Sequence, residues 1–375
     1  MKIRYLIILF VFFISACREG KEERPAKRKF ETKEFTFYSK IMGEERNYTV
    51  FSPSESNLRK QNSPLPVLLI LDGPNYFSFF NALVEQWSSK KEIVLPEMIV
   101  VSIKQNNRSS ELLPSFINKK GNSETFLKHL EKELLPAVEA NYNTLPFRTL
   151  FGHSRGGLFA INTLLEAPEL FDNYIVSDPN LTVGNKAFFD KWNISKINLN
   201  NHNNCLFIGL ADTKEGYTLD EVLETDSNTH PHMRTIWLLC KSIEEDTISN
   251  NNFKWKYYEG FGHNTVPTMV AMEGLLSVFD FYRLDKYGLI YSYLNGKISY
   301  EQLKQSIKNH FAKVSTKMGI KVYPYEELLF EYGEIFLEEN MKNKAVDMFQ
   351  WNLDNFPKSK KSIEALKNIY KQGLK

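Results

Sequence analysis

The chain has few cysteines, little net charge and no Cys/His cluster with the spacing of a zinc site. A net charge of +2 is too small to indicate a nucleic acid or an acidic polymer as partner. Cys205 and Cys240 could form a disulfide, although two buried thiols are the preferred interpretation. We therefore predict a protein without a metal site and without a nucleic-acid partner.

The apolar run at the N-terminus, Tyr5–Ile14, is too short to span a bilayer, which needs about 20 residues. Two positive charges in residues 1–4 precede it, and the small-residue stretch 14–17 follows it. This arrangement resembles a bacterial lipoprotein signal, whose final cysteine, here Cys17, becomes the acylated N-terminus. An ordinary secretory signal with an incidental cysteine is the alternative.

The resemblance implies an outer-membrane lipoprotein in the cell envelope of a Gram-negative-type bacterium, facing the periplasm or the exterior. Residues 1–17 are then the signal, and the protein is held on the membrane through its lipid. Residues 18–33 are charged and contain Pro25, so we interpret them as a flexible tether.

The most informative feature of the sequence is a Gly-x-Ser-x-Gly pattern at residues 152–156. The apolar run Thr149–Phe151 precedes it and the helical run Leu158–Leu165 follows it. A strand, a sharp turn and a helix are the context of the nucleophile elbow of the α/β-hydrolases, where glycines allow close approach. Ser154 is therefore the predicted nucleophile, and the N–H of Arg155 would face an oxyanion beside it.

Short apolar runs alternate with helical periodicity from Phe35 to about Tyr282. Near-continuous apolar runs are typical of strands buried on both faces of a parallel sheet. We expect an α/β-hydrolase fold with a mostly parallel central sheet over residues 34–284. The predicted strands are the hairpin Phe35–Tyr38 and Tyr48–Phe51, then Val67–Leu71, Met98–Val101, Thr149–Phe151, Tyr174–Val176, Leu206–Leu210 and Phe253–Tyr257, the last nearer the sheet edge.

Strand signals stop after Tyr282, and residues 285–375 are expected to form a small all-helical region. Residues 325–375 resemble a tetratricopeptide repeat with a following capping helix, and a generic helical hairpin is the alternative. One repeat cannot bury its own core, so it must pack on its neighbours or on the hydrolase. A protein partner could bind this tail. The matching residues are Gly333, Ala345, Phe349, Pro357, Leu366 and Tyr370.

A nucleophilic serine needs a histidine to take its proton and an acid to orient that histidine. The chain order in this fold is serine, acid, histidine. His263 fits, because it follows the last predicted strand in a glycine-containing loop that could place its ring beside the elbow. The other downstream histidines are His310 in the helical tail, His202 in a polar loop, and His230 and His232, which flank Pro231 and at best line the substrate pocket.

The acid should follow the penultimate strand, Leu206–Leu210. Asp212 lies at the end of this strand and is preferred over Glu215. Asp178 follows an earlier strand and could instead serve the substrate pocket, and Asp226 is a more remote option. Asp212 is therefore the predicted third member of a catalytic triad.

A second oxyanion donor is expected in the loop after an earlier strand, Leu71–Tyr76. One such donor stabilises the transition state by about 2.7–4 kcal/mol. Pro74 has no N–H, so Gly73 or Asn75 must supply it.

These segments together resemble a family of esterases with the α/β-hydrolase fold, which includes trilactone siderophore esterases, S-formylglutathione hydrolases and mycolyltransferases. The resemblance covers about residues 35–282 and places Tyr76, Arg108 and His153 on the oxyanion or substrate side of the site. The matching segments are Leu71-Asp72-Gly73, Tyr76-Phe77, Asn107-Arg108, Leu113-Pro114, Leu134-Leu135-Pro136, Tyr142, Arg148, Gly152–Gly157 and Gly262–Pro267.

Two positions depart from the family pattern. The segment Ser177–Leu181 contains an inserted aspartate and no tryptophan, and Arg155 replaces a small or apolar residue. Both changes concern the acyl or alcohol pocket.

The sequence as a whole predicts a serine ester hydrolase that acts on a small or medium carboxylic ester through an acyl-enzyme, without a cofactor. A siderophore-type ester is what the family suggests. One alternative is a lipid-anchored binding or scaffold lipoprotein that keeps the elbow without competent chemistry. Another is acyl transfer by the same residues to an acceptor other than water.

Overall fold

The structure, a computed structural model, describes residues 30–54, 64–88, 93–183, 187–188, 190–191, 204–214, 216–224, 231–245, 252–371 and 373. Several predictions lie outside the described residues: the signal, Cys17, most of the tether, and the side chains of His202, Glu215, Asp226 and His230.

A single eight-stranded sheet forms the centre of the described chain, in the order β1-β2-β4-β3-β5-β6-β7-β8. The first two strands pair antiparallel, as do β2 and β4, and all other neighbours are parallel. This arrangement confirms the predicted α/β fold, and every predicted strand overlaps an observed one. The strands are β1 (Phe30–Ser39), β2 (Glu44–Pro53), β3 (Leu65–Ile70), β4 (Ile99–Ile103), β5 (Thr144–His153), β6 (Asn173–Ser177), β7 (Cys205–Ala211) and β8 (Phe253–Tyr258).

The central strands are buried on both faces, which explains why their sequences are apolar throughout. All residues of β3, β4 and β6 are buried. The edge strand β8 is less buried along its length, as its alternating sequence predicts. Strand β1 begins at Phe30, four residues before the predicted domain start at residue 34, because Phe30 pairs with Pro53 and its ring stacks on Phe51 at 4.8 Å. Charged residues lie between the apolar positions here, so the sequence pattern did not predict this part of the strand.

Helices cover both faces of the sheet, and each face has its own hydrophobic core. One core contains Phe126 and Phe159, and the other contains Phe80 and Val270. The helices of this part are α1 (Gly73–Ser88), α2 (Arg108–Glu111), α3 (Ser123–His129), which continues through a π-helical turn (Leu130–Leu134) into α4 (Leu135–Asn141), α5 (Arg155–Glu166), α6 (Leu219–Glu224), α7 (Pro231–Glu245), α8 (Val266–Val278) and a 3₁₀ turn (Asp280–Tyr282).

The part of the chain after Tyr282 is helical and has a third core of its own. Gly333 on α11 allows close packing against α12, since a Cβ there would lie 2.4 Å from the Phe349 ring. Val314 and Met318 belong instead to the core shared with the sheet, so the helical region is anchored on the α/β part of the chain. Its helices are α9 (Lys286–Leu294), α10 (Tyr300–Met318), α11 (Glu326–Glu338), α12 (Lys342–Asn355) and α13 (Lys360–Lys371).

Cys205 and Cys240 are both free thiols, as the preferred interpretation expects, but only Cys240 is buried, whereas Cys205 is partly exposed. Within the described ranges no helix combines the length and the apolar character that crossing a membrane requires.

Candidate active site

Ser154 occupies a sharp turn between β5, which ends at His153, and α5, which begins at Arg155. Its backbone has φ 57° and ψ −115°, a strained conformation that is rare for a residue with a side chain. The turn closes because the glycines leave room: a Cβ on Gly152 would lie 2.2 Å from the Gly156 carbonyl oxygen. Ser154 N–H also donates to the Ser177 carbonyl on β6 at 2.9 Å. The sequence therefore places the Ser154 hydroxyl at the tip of a rigid turn that is anchored to the sheet.

The structure brings Ser154 and His263 together, as predicted. Ser154 Oγ lies 3.1 Å from His263 Nε2. His263 belongs to the loop Gly260–Thr265 between β8 and α8, which we call the histidine loop, and its side chain is 34% exposed. The ring is thus held beside the serine and remains open to an incoming molecule.

The residue that faces the other nitrogen of His263 is Asp178, whose Oδ2 lies 2.5 Å from Nδ1. The structure therefore places Asp178, and not the predicted Asp212, beside the ring of His263. The Asp212 carboxylate accepts hydrogen bonds from Gly260 N–H at 2.9 Å and from Lys214 Nζ at 3.2 Å, so it shapes the base of the histidine loop. The reason is the strand order: β6 lies directly beside β5, so a residue at the end of β6 is nearer to the elbow than one at the end of β7.

The Asp178 carboxylate is fully buried and accepts three hydrogen bonds. Its Oδ1 accepts from Ala211 N–H at 3.0 Å, and its Oδ2 accepts from His263 and from His232 Nε2, the latter at 2.8 Å. Burial raises the pKa of this carboxyl, but the hydrogen bonds from His232 and His263 outweigh burial and hold the pKa well below its usual range. The carboxylate is therefore negatively charged at neutral pH.

His153 binds the backbone of the histidine loop, and Tyr76 in turn binds His153. His153 Nε2 lies 2.9 Å from the His263 carbonyl, which can only accept, so Nε2 carries the proton and Nδ1 accepts from Tyr76 O–H at 2.8 Å. Burial, with a smaller contribution from His263, lowers the pKa of His153 to about 4, and burial raises the pKa of Tyr76 to about 12. Both side chains are thus neutral at pH 7 and fix the backbone that carries His263.

The loop Leu71–Asn75, which we call the oxyanion loop, lies beside the elbow. Arg108 donates two hydrogen bonds to the carboxylate of Asp72 in this loop, at 2.6 and 2.9 Å. It donates a third to the His153 carbonyl, at the end of β5, at 3.3 Å. The hydrogen bond to Asp72 raises the pKa of Arg108. Arg108 thus connects the oxyanion loop directly to the end of β5.

The two candidates for the second oxyanion donor differ in whether the backbone N–H is already used in a hydrogen bond. Asn75 N–H donates to the Asp72 carbonyl at 3.0 Å, which leaves Gly73. This glycine opens α1, so its N–H has no acceptor within its own helix. A Cβ at this position would lie 1.9 Å from Ser102 Oγ, so only glycine fits here. The amides of Gly73 and Arg155 each stand at the first residue of a helix, where the helix dipole favours negative charge.

Among the described residues, one group of side chains has the spacing of a metal site: Asp178, His232 and His263. Zinc ligands at about 2.0–2.2 Å in a tetrahedron stand about 3.4 Å apart. The observed separations from Asp178 Oδ2, 2.5 and 2.8 Å, are shorter and fit shared protons. We therefore interpret this group as two imidazoles that donate hydrogen bonds to one carboxylate, and not as a set of metal ligands.

From the sequence we expected His232 at best to line the substrate pocket, and its contact with Asp178 was not predicted. A usable signal was present for Asp178, which is the aspartate that departs from the family pattern after β6. For His232, at the start of α7, we find no signal in the sequence.

The sheet order and the serine elbow at the carboxyl end of β5 define the chain as an α/β-hydrolase. The sequence model of the family described as "Putative esterase" matches residues 39–251, more than half of the chain, so the chain belongs to this esterase family. Membership confirms the family that the sequence resembles.

Two curated relatives and one solved structure are similar to this chain. The chain is 38% identical over 85 residues to ferri-bacillibactin esterase BesA of Bacillus subtilis (strain 168), covering 22% of this chain and 29% of that protein. It is 40% identical over 63 residues to the siderophore triacetylfusarinine C esterase of Aspergillus fumigatus, covering 16% of this chain and 22% of that protein. Less than a third of either relative is therefore matched. An IroE-like serine hydrolase from Shewanella oneidensis shares the fold with a TM-score of 0.66 at 20% identity, over 86% of this chain and 99% of that chain.

Proposed function

We propose that this protein is a serine ester hydrolase in which Ser154, His263 and Asp178 form the catalytic triad. The observation that carries the proposal is the chain of contacts from Ser154 Oγ through both nitrogens of His263 to the buried Asp178 carboxylate. Because a carboxylate can only accept, Nδ1 of His263 carries the proton and Nε2 is free to accept one from the serine.

In the first half of the reaction, His263 Nε2 takes the proton of Ser154 while Oγ attacks the ester carbonyl. The negative charge on the tetrahedral intermediate is stabilised by the amides of Arg155 and Gly73. His263 then passes its proton to the departing alkoxide, which leaves as an alcohol. An acyl-enzyme on Ser154 remains.

In the second half, water gives a proton to His263 Nε2 and attacks the acyl-enzyme. The carboxylic acid leaves and the proton returns to Ser154 Oγ. Asp178 stays ionised throughout and stabilises the imidazolium that forms twice. The strained turn at Ser154 keeps the hydroxyl in place, so the protein need not rearrange around it.

A small or medium carboxylic ester of siderophore type is the proposed substrate class. Support comes from two relatives, each named as a siderophore esterase, that match parts of this chain. We also retain the lipid anchor at Cys17, the outer-membrane location and the tetratricopeptide-like tail as proposals from the sequence. A Cys17→Ala variant that still incorporates a palmitate analogue would contradict the anchor.

The direct test of the triad is covalent labelling of the protein with a fluorophosphonate, which requires no knowledge of the substrate. We expect the native protein to be labelled and to hydrolyse a p-nitrophenyl acyl ester, and Ser154→Ala to do neither while keeping its thermal unfolding temperature. The exposed serine variant Ser115→Ala is the matched control and should behave as the native protein. Native protein that resists the label would favour a binding or scaffold role. Ester product formed with an added alcohol would indicate acyl transfer.

A further inference from the structure

A second imidazole shares the carboxylate oxygen that faces His263. Asp178 Oδ2 accepts from His263 Nδ1 at 2.5 Å and from His232 Nε2 at 2.8 Å. The two rings stand nearly perpendicular, at 84°, with their centroids 5.4 Å apart. A carboxylate oxygen has two lone pairs, so it can accept both bonds at once. A triad needs only one of them.

His232 reaches this oxygen from an element separate from the rest of the triad. It lies in the first turn of α7, which packs against β7 and β8. Thr235 Oγ1 donates to the His232 carbonyl at 2.8 Å, which ties down the backbone of this turn. The ring is 24% exposed, whereas Asp178 is fully buried. His232 therefore approaches the buried carboxylate from the solvent side.

The hydrogen bond from His232 restricts the rotation of the Asp178 carboxylate. The last torsion of an aspartate side chain is broad, so a carboxylate fixed through one oxygen can still rotate. Ala211 N–H fixes Oδ1 at 3.0 Å. A second donor on Oδ2 restricts the rotation and also solvates a buried charge that would otherwise have one fewer partner.

We propose that His232 is a positioning residue for the reaction of Ser154, because its Nε2–H holds Asp178 Oδ2 in the orientation that His263 Nδ1 requires. The inference rests on the proposed function. His232 acts through Asp178 and takes no proton from the substrate. Its contribution is to keep His263 in one tautomer and in line with the serine.

Three variants test the donated hydrogen bond: His232→Leu, His232→Gln and His232→Asn. The amide nitrogen of glutamine stands close to the place of a histidine Nε2, whereas that of asparagine is one bond too short to reach Asp178. For a p-nitrophenyl ester we expect kcat to fall about 10–100-fold in the Leu and Asn variants with KM unchanged within about threefold, and to stay near native in the Gln variant. His310→Leu, in the helical region, is the matched control and should keep native kcat.

The pH profile separates positioning from a general loss of packing. The titratable groups in contact are Asp178, His263 and, behind His263, His153. Without the His232 N–H, the Asp178 carboxylate loses one of the donors that share its negative charge, so more of that charge acts on the protonated imidazole of His263. The acidic limb of kcat/KM should therefore move to higher pH in the Leu and Asn variants and stay in place in the Gln variant.

A double-mutant comparison closes the test. When Asp178→Asn is already present, His232→Leu should produce no further fall in kcat, since the residue it acts through is already lost. Equal kcat in the Gln and Asn variants of His232, or a full additional loss when His232→Leu is combined with Asp178→Asn, would overturn the inference. If the Leu variant does not fold, the Gln and Asn variants give the same comparison. Native protein that lacks fluorophosphonate labelling overturns the proposed function instead, so the two failures are distinguishable.

Discussion

Asp178 is the residue at which the hydrogen bonds of the site converge. It accepts from two imidazoles and from the amide at the end of β7, and it has a positive φ of 41°. Ser154 and Asp72 also have positive φ values, 57° and 52°. Of the four non-glycine residues with positive φ in the described part of the chain, three therefore lie at the site, on the proposed nucleophile, the proposed acid and the residue before Gly73, and the fourth, Asn340, lies in the helical region. Strain concentrated in this way fits side chains held ready for a reaction.

Substitution of the two aspartates distinguishes between them as the triad acid. Asp178→Asn should lower kcat by about 10⁴-fold, because an amide at this position favours the wrong tautomer of His263. Asp212→Asn should cost less than about tenfold, since its contacts lie at the base of the histidine loop. The measurement is kcat with a p-nitrophenyl ester, with folding checked by circular dichroism. A larger loss in the Asp212 variant would restore the assignment that the sequence favoured.

At the scale of elements, three segments meet at the carboxyl end of β5. The elbow provides Ser154, the histidine loop provides His263 and the oxyanion loop provides Gly73. Two side chains join these segments: Arg108 binds the oxyanion loop to the His153 carbonyl, and His153 binds the carbonyl of His263. If any one of these segments moved, the hydrogen bonds that join it to the other two would therefore also change.

Glycine at position 73 is required by the contact between the oxyanion loop and β4. In Gly73→Ala the new methyl group would lie 1.9 Å from Ser102 Oγ, so the loop must move away. Loss of one oxyanion donor should lower kcat by about 10²–10³-fold. Gly262→Ala is the matched control, since a methyl group there would meet its nearest atom only at 4.0 Å. Steady-state kinetics of both variants measure the difference; similar kcat values would show that Gly73 N–H is not the donor.

At the scale of the whole molecule, the site depends on a sheet with two cores and on a helical region attached to one of them. The core that contains Phe80 and Val270 also includes Val314 and Met318 of α10. The helical region therefore stabilises the face of the sheet against which α1 and α8 pack. Both of these helices start beside the site, α1 at Gly73 and α8 just after the histidine loop.

Stability of the whole molecule should depend on pH through His153. Burial lowers its pKa from 6.5 to about 4 in the folded state. Between these values the unfolded chain binds the proton more strongly, so the free energy of unfolding falls as the pH falls from about 6.5 to 4, by up to about 3 kcal/mol. His153→Gln keeps a donor for the His263 carbonyl but does not titrate. We expect urea unfolding at pH 7 and pH 4.5 to show a smaller loss for this variant than for the native protein. Equal losses would indicate that His153 is not buried in its neutral form.

The sequence by itself determined the parts of the protein that depend on local pattern. Apolar runs of three to five residues predicted the inner strands β3 to β7, because strands buried on both faces must be apolar throughout. The hairpin was predicted from two runs on either side of Gly43, and β8 from its alternating pattern. The Gly-x-Ser-x-Gly turn identified Ser154, since only small neighbours allow a helix to start so close to a strand. His263 followed from chain order and from the glycines around it.

Only the tertiary structure decided which distant groups meet. The choice of Asp178 over Asp212 depends on β6 lying between β5 and β7, and the choice of Gly73 over Asn75 depends on a turn that uses the Asn75 amide. The contact between His232 and Asp178 joins residues 54 positions apart on different elements. Local pattern fixes which segments become strands and turns, whereas the order of parallel strands is set by packing across the whole sheet. That order selects the groups that reach Ser154.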